Sequence, residues 1–427
     1  MFLQIGILFL IILFFGGCAT KEAILDSNID DLSLSQRAVM YISDNKEIAT
    51  SNFSLKLREE YLDKYFSVWN KDFVPPSKED VFWGLSSKRG FGESKRYHSD
   101  GFLDELRLNA DVDSYPSKND YAIMVKTANV RVLPTIKPRF SKQDGYPFDR
   151  WQNSLIFAWT PIRILHEDKT KEWLLVQSAF VSGWVKFDEV AKISKKDMNN
   201  LMHTRDFVVP IKDRIPLYHK DKFVVNARIG MLFQKIDNKI YGYYRNNEGL
   251  AIKIPLSFDT NLFSKFPLAF TQSNIANLAD SLNLENYGWG GMYENRDCSA
   301  FIRDVLMNVG IFLPRNSLAQ VNTAKSSPYS TYITLPKDND EKIEIIKKSA
   351  LPFRTIFWLK GHIMLYIGEY NNQPIVMHDV WAVNSSKGLN ILGGISITTL
   401  IPGNEQNGIN PPPSLLDRIE AMNIIVK

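Results

Sequence analysis

Residues 296–310 read Arg296-Asp-Cys-Ser-Ala-Phe-Ile-Arg-Asp-Val-Leu-Met-Asn-Val-Gly310. Cys298, Phe301, Ile302, Val305, Leu306 and Val309 recur at i, i+3, i+4, i+7, i+8 and i+11, one face of an α-helix, and Gly310 is a natural stop. Cys298 thus opens the buried stripe. It lies under the free N–H groups and positive end of the helix dipole, surroundings that favour a thiolate. Asp297 is placed to cap the helix, but its charge opposes that thiolate, so a neighbouring cation or imidazolium has to outweigh it. Spacing alone favours a small buried hydrophobe at position 298, and only a base within reach changes that reading.

Six histidines are available as that base. His362 and His378 fall in one β-rich stretch, GHIMLYIGEYNNQPIVMHDVWAV, which reads as two strands joined by a turn around Asn371-Asn372. A hairpin centred near Tyr370 sets His362 directly opposite His378 on the same face, and a one-residue slip separates them. His98, His166, His203 and His219 lie in unrelated segments and read as solvated or structural. A thiol on a helix N-terminus, an imidazole at a strand start and a polar group on the next strand make a nucleophile, base and orienter in papain-like order. A metal site from His362, His378 and Asp379 lacks the short-spaced ligand pair such sites use, and neither a metal nor any other cofactor is expected.

The rest of the chain gives the setting. Its 427 residues, 44% hydrophobic and 23% charged, suit roughly two to four domains. The net charge of +4 is small and the basic residues are interspersed with acidic ones, which excludes an electrostatic nucleic-acid footprint. The N-terminus, MFLQIGILFLIILFFGGCAT, is an apolar run too short for a membrane span of ordinary length and suited to export. Of the two cysteines, Cys18 closes this run, which leaves Cys298 as the one thiol of the folded protein if Cys18 is modified.

Residues 18–118 read as a helical or irregular segment, with a helical patch from Phe53 to Trp69, broken by Pro75-Pro76 and by the Gly-rich stretch Gly84 to Gly92, that leans on other domains. From Tyr121 the pattern turns to short β-rich runs (YAIMVKTANVRVLP, SLIFAWTPIRILH, EWLLVQS, SGWVKF), which predict a small barrel over 119–196. A fainter unit of the same kind spans 205–257. Trp151, Trp159 and Trp184 either line a peptide groove or fill the barrel core, and aromatics in small barrels fill cores by default.

Several of these stretches resemble known families. Phe15-Gly-Gly-Cys18 resembles the lipobox of bacterial lipoproteins, although Phe15 stands where Leu is usual and no Lys or Arg precedes the run. It implies a signal peptide over 1–17 and acylation of Cys18; a plain signal peptide or a single anchor helix is the alternative. Ala128-Asn-Val-Arg-Val-Leu-Pro134, Phe148-Asp-Arg-Trp-Gln152 and Ser182-Gly-Trp-Val-Lys186 resemble a bacterial SH3-like domain. Tyr287-Gly-Trp-Gly-Gly291, Arg296-Asp-Cys-Ser299, Leu313-Pro-Arg-Asn-Ser317 with Gln320, and Gly361-His362 resemble the NlpC-type cell-wall cysteine peptidases, with Ala300 where the family often has Gly.

That resemblance implies a multidomain α+β chain in which a papain-like catalytic domain at 258–427 follows two small all-β SH3-like barrels and a mostly helical segment. Cys298 then corresponds to the nucleophile, His362 to the base and His378 to the orienting residue. It implies hydrolysis of γ-D-glutamyl–diamino acid bonds in peptidoglycan stem peptides or muropeptides. Asp297 and Ser299 would read a free N-terminal L-alanine, Trp289 would line the cleft or brace its loop, and Arg296 would orient a substrate carboxylate or pair with nearby acids. The expected protein is a lipid-anchored periplasmic monomer, its anchor more suited to the outer membrane because Ala19 rather than Asp follows Cys18. Two alternatives stand beside it: a catalytically inert wall-binding scaffold, and an acyltransferase on the same fold.

Overall fold

The computed structural model describes residues 28–283 and 285–426, so Cys18 and the apolar run before it lie outside the described residues. The first segment carries α1 (Ser51–Tyr65), α2 (Lys78–Val81) and α3 (Asp100–Asn109). Thr50, Ser77 and Ser99 cap the three starts by accepting the N–H of Phe53, Asp80 and Phe102, each worth about 1 kcal/mol. The buried face of α1, Leu57, Tyr61, Leu62 and Tyr65, has no core of its own. Tyr61, Leu62 and Tyr65 join Phe66 and Trp69 in a cluster shared with the β-rich units that follow. The Trp69 indole N–H completes the tie, donating to the carbonyls of Ala122 and Ile162 at 3.0 and 3.1 Å.

The first β-unit is one antiparallel sheet of seven strands: β1 (Asp120–Met124), β2 (Ala128–Arg131), β3 (Gln152–Ile156), β4 (Pro161–Glu167), β5 (Trp173–Gln177), β6 (Ser182–Lys186) and β7 (Val190–Lys192). Their spatial order is β3-β2-β6-β5-β4-β1-β7. Its inner face is aliphatic, with Ala122, Val130, Ile162, Val176 and Val185 fully buried. The three tryptophans are seated at the seams of this unit. Trp184 packs with Phe82 and Tyr115, Trp151 with Leu103 and Leu106, and Trp159 against Phe233 of the next unit. All three are nearly or fully buried, so the core reading applies to each and the groove reading to none.

After α4 (Lys195–His203) comes the second β-unit, with β8 (Phe207–Pro210), β9 (Ile215–His219), β10 (Lys222–Ala227), β11 (Phe233–Ile236), β12 (Lys239–Arg245), β13 (Ala251–Leu256) and β14 (Phe263–Lys265). β9 and β10 form a separate hairpin, and the remaining strands run β13-β12-β11-β8-β14. The sheet therefore continues past residue 257, because β14 pairs with β8 on its far edge.

The C-terminal unit opens with α5 (Gln272–Asp280), α6 (Cys298–Met307) and α7 (Ser317–Asn322). Its sheet contains β15 (Thr331–Thr334), β16 (Thr355–Leu359), β17 (His362–Tyr370), β18 (Gln373–Ser385), β19 (Gly388–Thr399) and β20 (Ala421–Ile424), in the order β15-β20-β16-β17-β18-β19. α8 (Asn339–Ser349) and α9 (Leu415–Arg418) complete it. Phe301, Ile302, Val305 and Leu306 of α6 pack on Ile363, Leu365, Met377 and Ile397, and burying each such side chain contributes roughly 1.5–3 kcal/mol. Ile346 of α8 covers the other face with Phe357, Met364, Tyr366 and Val376. The stripe read from the sequence is thus the stripe that docks the helix on the sheet.

Candidate active site

Cys298 is the first residue of α6, and Asp297 is its N-cap, accepting the Ala300 N–H at 2.9 Å. Asp297 also accepts from Gly290 N–H, from the Ser299 hydroxyl and, through both oxygens, from Arg315, at 2.7 and 3.1 Å. Burial alone would raise the Asp297 carboxyl, but the Arg315 guanidinium outweighs it and holds the group below its ordinary value. Arg315 is thus the cation beside Asp297, but at the Cys298 sulfur its effect is smaller than that of Asp297, so it does not by itself favour a thiolate. It was present in the quoted run Leu313-Pro-Arg-Asn-Ser317, without a signal that it folds back to position 297. Its Nε donates to the Ser154 hydroxyl of β3 at 2.7 Å, which ties the cap of α6 to the first barrel.

The loop before α6 makes the same tie. Gly290 and Gly291 adopt φ of 59° and 87°, and a Cβ at either would lie within 2.7 Å of Gln152 or Leu155. Gln152 donates to the Gly290 carbonyl at 2.9 Å, and the Trp289 indole N–H donates to the Asp149 carbonyl at 2.8 Å. Phe148 meets the Trp289 ring edge-on at 5.1 Å, and Arg150 lies 5.1 Å over it. Trp289 both braces this loop and lines the cleft.

His362 and His378 meet through a 2.8 Å hydrogen bond between His362 Nε2 and His378 Nδ1. The hairpin that brings them together differs from the expected one. Its turn is Asn371-Asn372 with Tyr370 opposite Gln373, and a β-bulge between Tyr366 and Gly368 shifts the register so that Leu365 faces Met377. Continued to the strand start, this register sets His378 opposite Met364 and makes the two histidines diagonal neighbours on one face, not a directly opposed pair.

A third residue, missed in the sequence, fixes the proton positions. Thr398 of β19 donates its hydroxyl proton to the Thr399 carbonyl at 2.8 Å and lies 3.1 Å from His378 Nε2. With its one proton committed, Thr398 Oγ1 accepts from His378 Nε2–H. His378 Nδ1 then accepts from His362 Nε2–H, and His362 keeps the bare lone pair on Nδ1. Burial, with a smaller push from Arg418, lowers His362 to about 4, and burial holds His378 well below the usual imidazole range. Burial also pushes the Cys298 thiol up, Asp297 adds to this, and the Ile363 N–H directed at the sulfur counters it. The resting pair is a neutral thiol and a neutral imidazole. Among the described residues no hydrogen bond joins Cys298 to His362; the N–H directed at the sulfur comes from the residue next to His362.

The cleft has two chambers that share Ser141, Arg150, Tyr287, Trp289 and Gly361. One, of about 720 Å³, is lined by Cys298, Asp297, Ser299, Arg315 and, from the first barrel, Arg139 and Arg150. The other, of about 510 Å³, is lined by His362, Trp381 and Arg418 and, from the first barrel, Lys142 and Tyr146. Arg296 lines neither. It is 2% exposed and bonds Asp304, Glu285 and Asp213 at 2.6–3.0 Å, so the substrate-carboxylate role expected for it gives way to the ion-pairing one. Ser299 is locked between Asp297 and Arg315, its hydroxyl accepting from Arg315 at 2.8 Å.

Four family models match the chain. They are an N-terminal NLPC_P60 stabilising domain at residues 7–115, an SH3 domain of the SH3b1 type at 138–186, an SH3 domain of the SH3b2 type at 196–233, and the NlpC/P60 family at 285–382. No curated protein matches. Among solved structures, an NlpC/P60 endopeptidase from Photobacterium damselae subsp. piscicida is 21% identical with a TM-score of 0.80, over 92% of this chain and 97% of that one, which is a likeness of fold. An NlpC/P60 family protein from Bacillus cereus ATCC 10987 is 14% identical with a TM-score of 0.42, over 64% and 82% of the two chains, too distant to carry any argument. The segment that holds Cys298, His362 and His378 belongs to the NlpC/P60 family, and the chain places it behind a stabilising domain and two SH3 domains.

Proposed function

We propose that the protein is a cell-wall cysteine peptidase that hydrolyses the γ-D-glutamyl–diamino acid bond of peptidoglycan stem peptides. The observation that supports this most directly is the hydrogen-bonded row Thr398, His378, His362, which leaves a bare nitrogen on His362, one residue before the Ile363 N–H directed at the Cys298 sulfur. The Cys298 proton passes to His362 Nδ1 as the sulfur bonds the γ-carbonyl carbon. The oxyanion develops toward the Cys298 backbone N–H at the start of α6. His362 returns the proton to the departing amine as the C–N bond breaks. It then takes one from a water molecule, whose oxygen displaces the sulfur, and the thiol is restored.

Because the first barrel walls both chambers, the substrate is a short peptide and not an intact sacculus. The preference for a free N-terminal L-Ala rests on that confinement. Charge does not supply it, since Arg315 already neutralises Asp297. Acylation at Cys18 anchors the enzyme to the periplasmic face of a membrane, and a Cys18→Ala variant moves from the membrane to the soluble fraction.

The test incubates the protein and its Cys298→Ala variant with L-Ala-γ-D-Glu-diamino acid peptides, with and without an N-terminal acetyl group, and follows products by mass spectrometry. Release of L-Ala-D-Glu by the wild type alone is expected. Cleavage of the acetylated peptide at an equal rate removes the free-amine preference. Absence of any cleavage, with retention on isolated wall, replaces the peptidase with a scaffold.

A further inference from the structure

We propose that the chamber beside His362 is a subsite for a carboxylate carried by the residue that leaves the scissile bond, with Lys142 and Arg418 as its cations. The inference rests on the peptidase reading above. The chemistry assigns the chambers: sulfur keeps the acyl half of the substrate, and His362 gives its proton to the departing amine. The acyl half therefore occupies the chamber that Cys298 lines, and the leaving residue the chamber that His362 lines.

That second chamber is built for an anion on an aliphatic stem. Lys142 comes from the first barrel and Arg418 from the end of α9, and among the described residues neither forms an ion pair. Asp144, the acidic side chain in the lining, is already paired with Lys95. Lys142 and Arg418, together with Arg150, which both chambers share and which lies over the Trp289 ring, thus line the cavity without a compensating charge, and an entering carboxylate relieves them. Between them the walls are apolar, with the rings of Tyr146 and Trp381 edge to face at 5.9 Å and Leu359 and Leu389 alongside. Arg418 also faces His362 closely enough to oppose its protonation. A carboxylate bound to Arg418 screens that effect, so filling the subsite strengthens the base that the bound peptide needs.

Two sources of the carboxylate exist in this substrate class: the α-carboxylate of a peptide that ends at the diamino acid, and a distal carboxylate on its side chain. The experiment measures kcat/KM on three peptides: L-Ala-γ-D-Glu-L-Lys as the free acid, the same peptide as its α-carboxamide, and L-Ala-γ-D-Glu-meso-diaminopimelate amidated at the α-carboxyl. The expected result is that the lysine carboxamide is cut at least about tenfold less efficiently than one of the other two, and the arm that recovers the rate identifies the source. Arg418→Gln and Lys142→Gln, each checked for wild-type thermal unfolding, are expected to shrink that preference to under about threefold. Equal cleavage of all three peptides by the wild type, or a preference that survives in both folded variants, overturns the subsite while leaving the peptidase intact. Cleavage of none overturns the peptidase reading and the subsite with it.

Discussion

At the scale of single residues, the candidate site separates side chains that announce themselves from those whose partners are remote in sequence. Cys298 and His362 were legible because helix periodicity and a strand start are local patterns. Thr398 and Arg315 were not, because their roles exist only once β19 lies beside β18 and the 313–317 turn folds back on the start of α6. Thr398 predicts its own test. Removing its hydroxyl in Thr398→Val frees the His378 ring to take the other tautomer, and kcat is expected to fall about 10–100-fold with KM little changed. Thr398→Ser is expected to restore most of the loss. A Thr398→Val enzyme with wild-type kcat removes the proton assignment.

Asp379, next to His378, is the other informative residue. It is fully buried with both oxygens unpartnered, and burial raises its carboxyl well above the usual range, so the native state favours its protonated form. The unfolded chain ionises it above about pH 4, which makes the native state bind more protons and lose stability as pH rises. Asp379→Asn is therefore expected to stabilise the protein at pH 7 and to lose that advantage toward pH 4, by up to about 1.4 kcal/mol per unit. Urea denaturation of both proteins at pH 5 and 7 checks it, and a difference independent of pH contradicts it.

At the scale of elements, the strands and their hairpin were readable but their register was not. The apolar run and the Asn371-Asn372 turn locate β17 and β18, yet the residue that decides which imidazole meets which is Ile367, the extra residue of the bulge. A bulge is one residue of disagreement between two strands, and neither strand shows it alone. Gly368 carries the bend with φ of 137°, a conformation that a β-branched residue adopts only under strain. Gly368→Val is expected to cost about 1–3 kcal/mol and to lower activity further than that instability explains, because straightening β17 turns His362 away from His378. Thermal unfolding together with kcat/KM separates the two effects. α6 was legible throughout, since its stripe, cap and stop are all local.

At the scale of the whole molecule, the order of units was readable and their joining was not. Composition marks where helix-rich text gives way to β-rich text, but seams are made by residues far apart. The buried charges Arg228, Arg296, Asp213, Glu285 and Asp304 link the second barrel to the segment just ahead of Cys298 and to α6 itself. Removing one partner strands the others in a dry setting. Asp213→Ala is expected to destabilise the protein by about 3–5 kcal/mol although it lies in another unit from Cys298. Because cores are shared across unit boundaries, tryptophan fluorescence and circular dichroism are expected to report one coincident unfolding transition, and separated transitions contradict this.

The shared cores also set an order of events during synthesis. Trp69 bonds carbonyls at Ala122 and Ile162, and Tyr61 packs against Phe266 and Phe312. A ribosome delivers Tyr61 about ten seconds or more ahead of those partners, at roughly 5–20 residues per second. During that interval a row of aromatic rings waits in water with nothing to cover it. Tyr61 is made early and finds its full cover only once residues 266–312 have followed it, and its survival until then depends on whatever holds nascent chains apart.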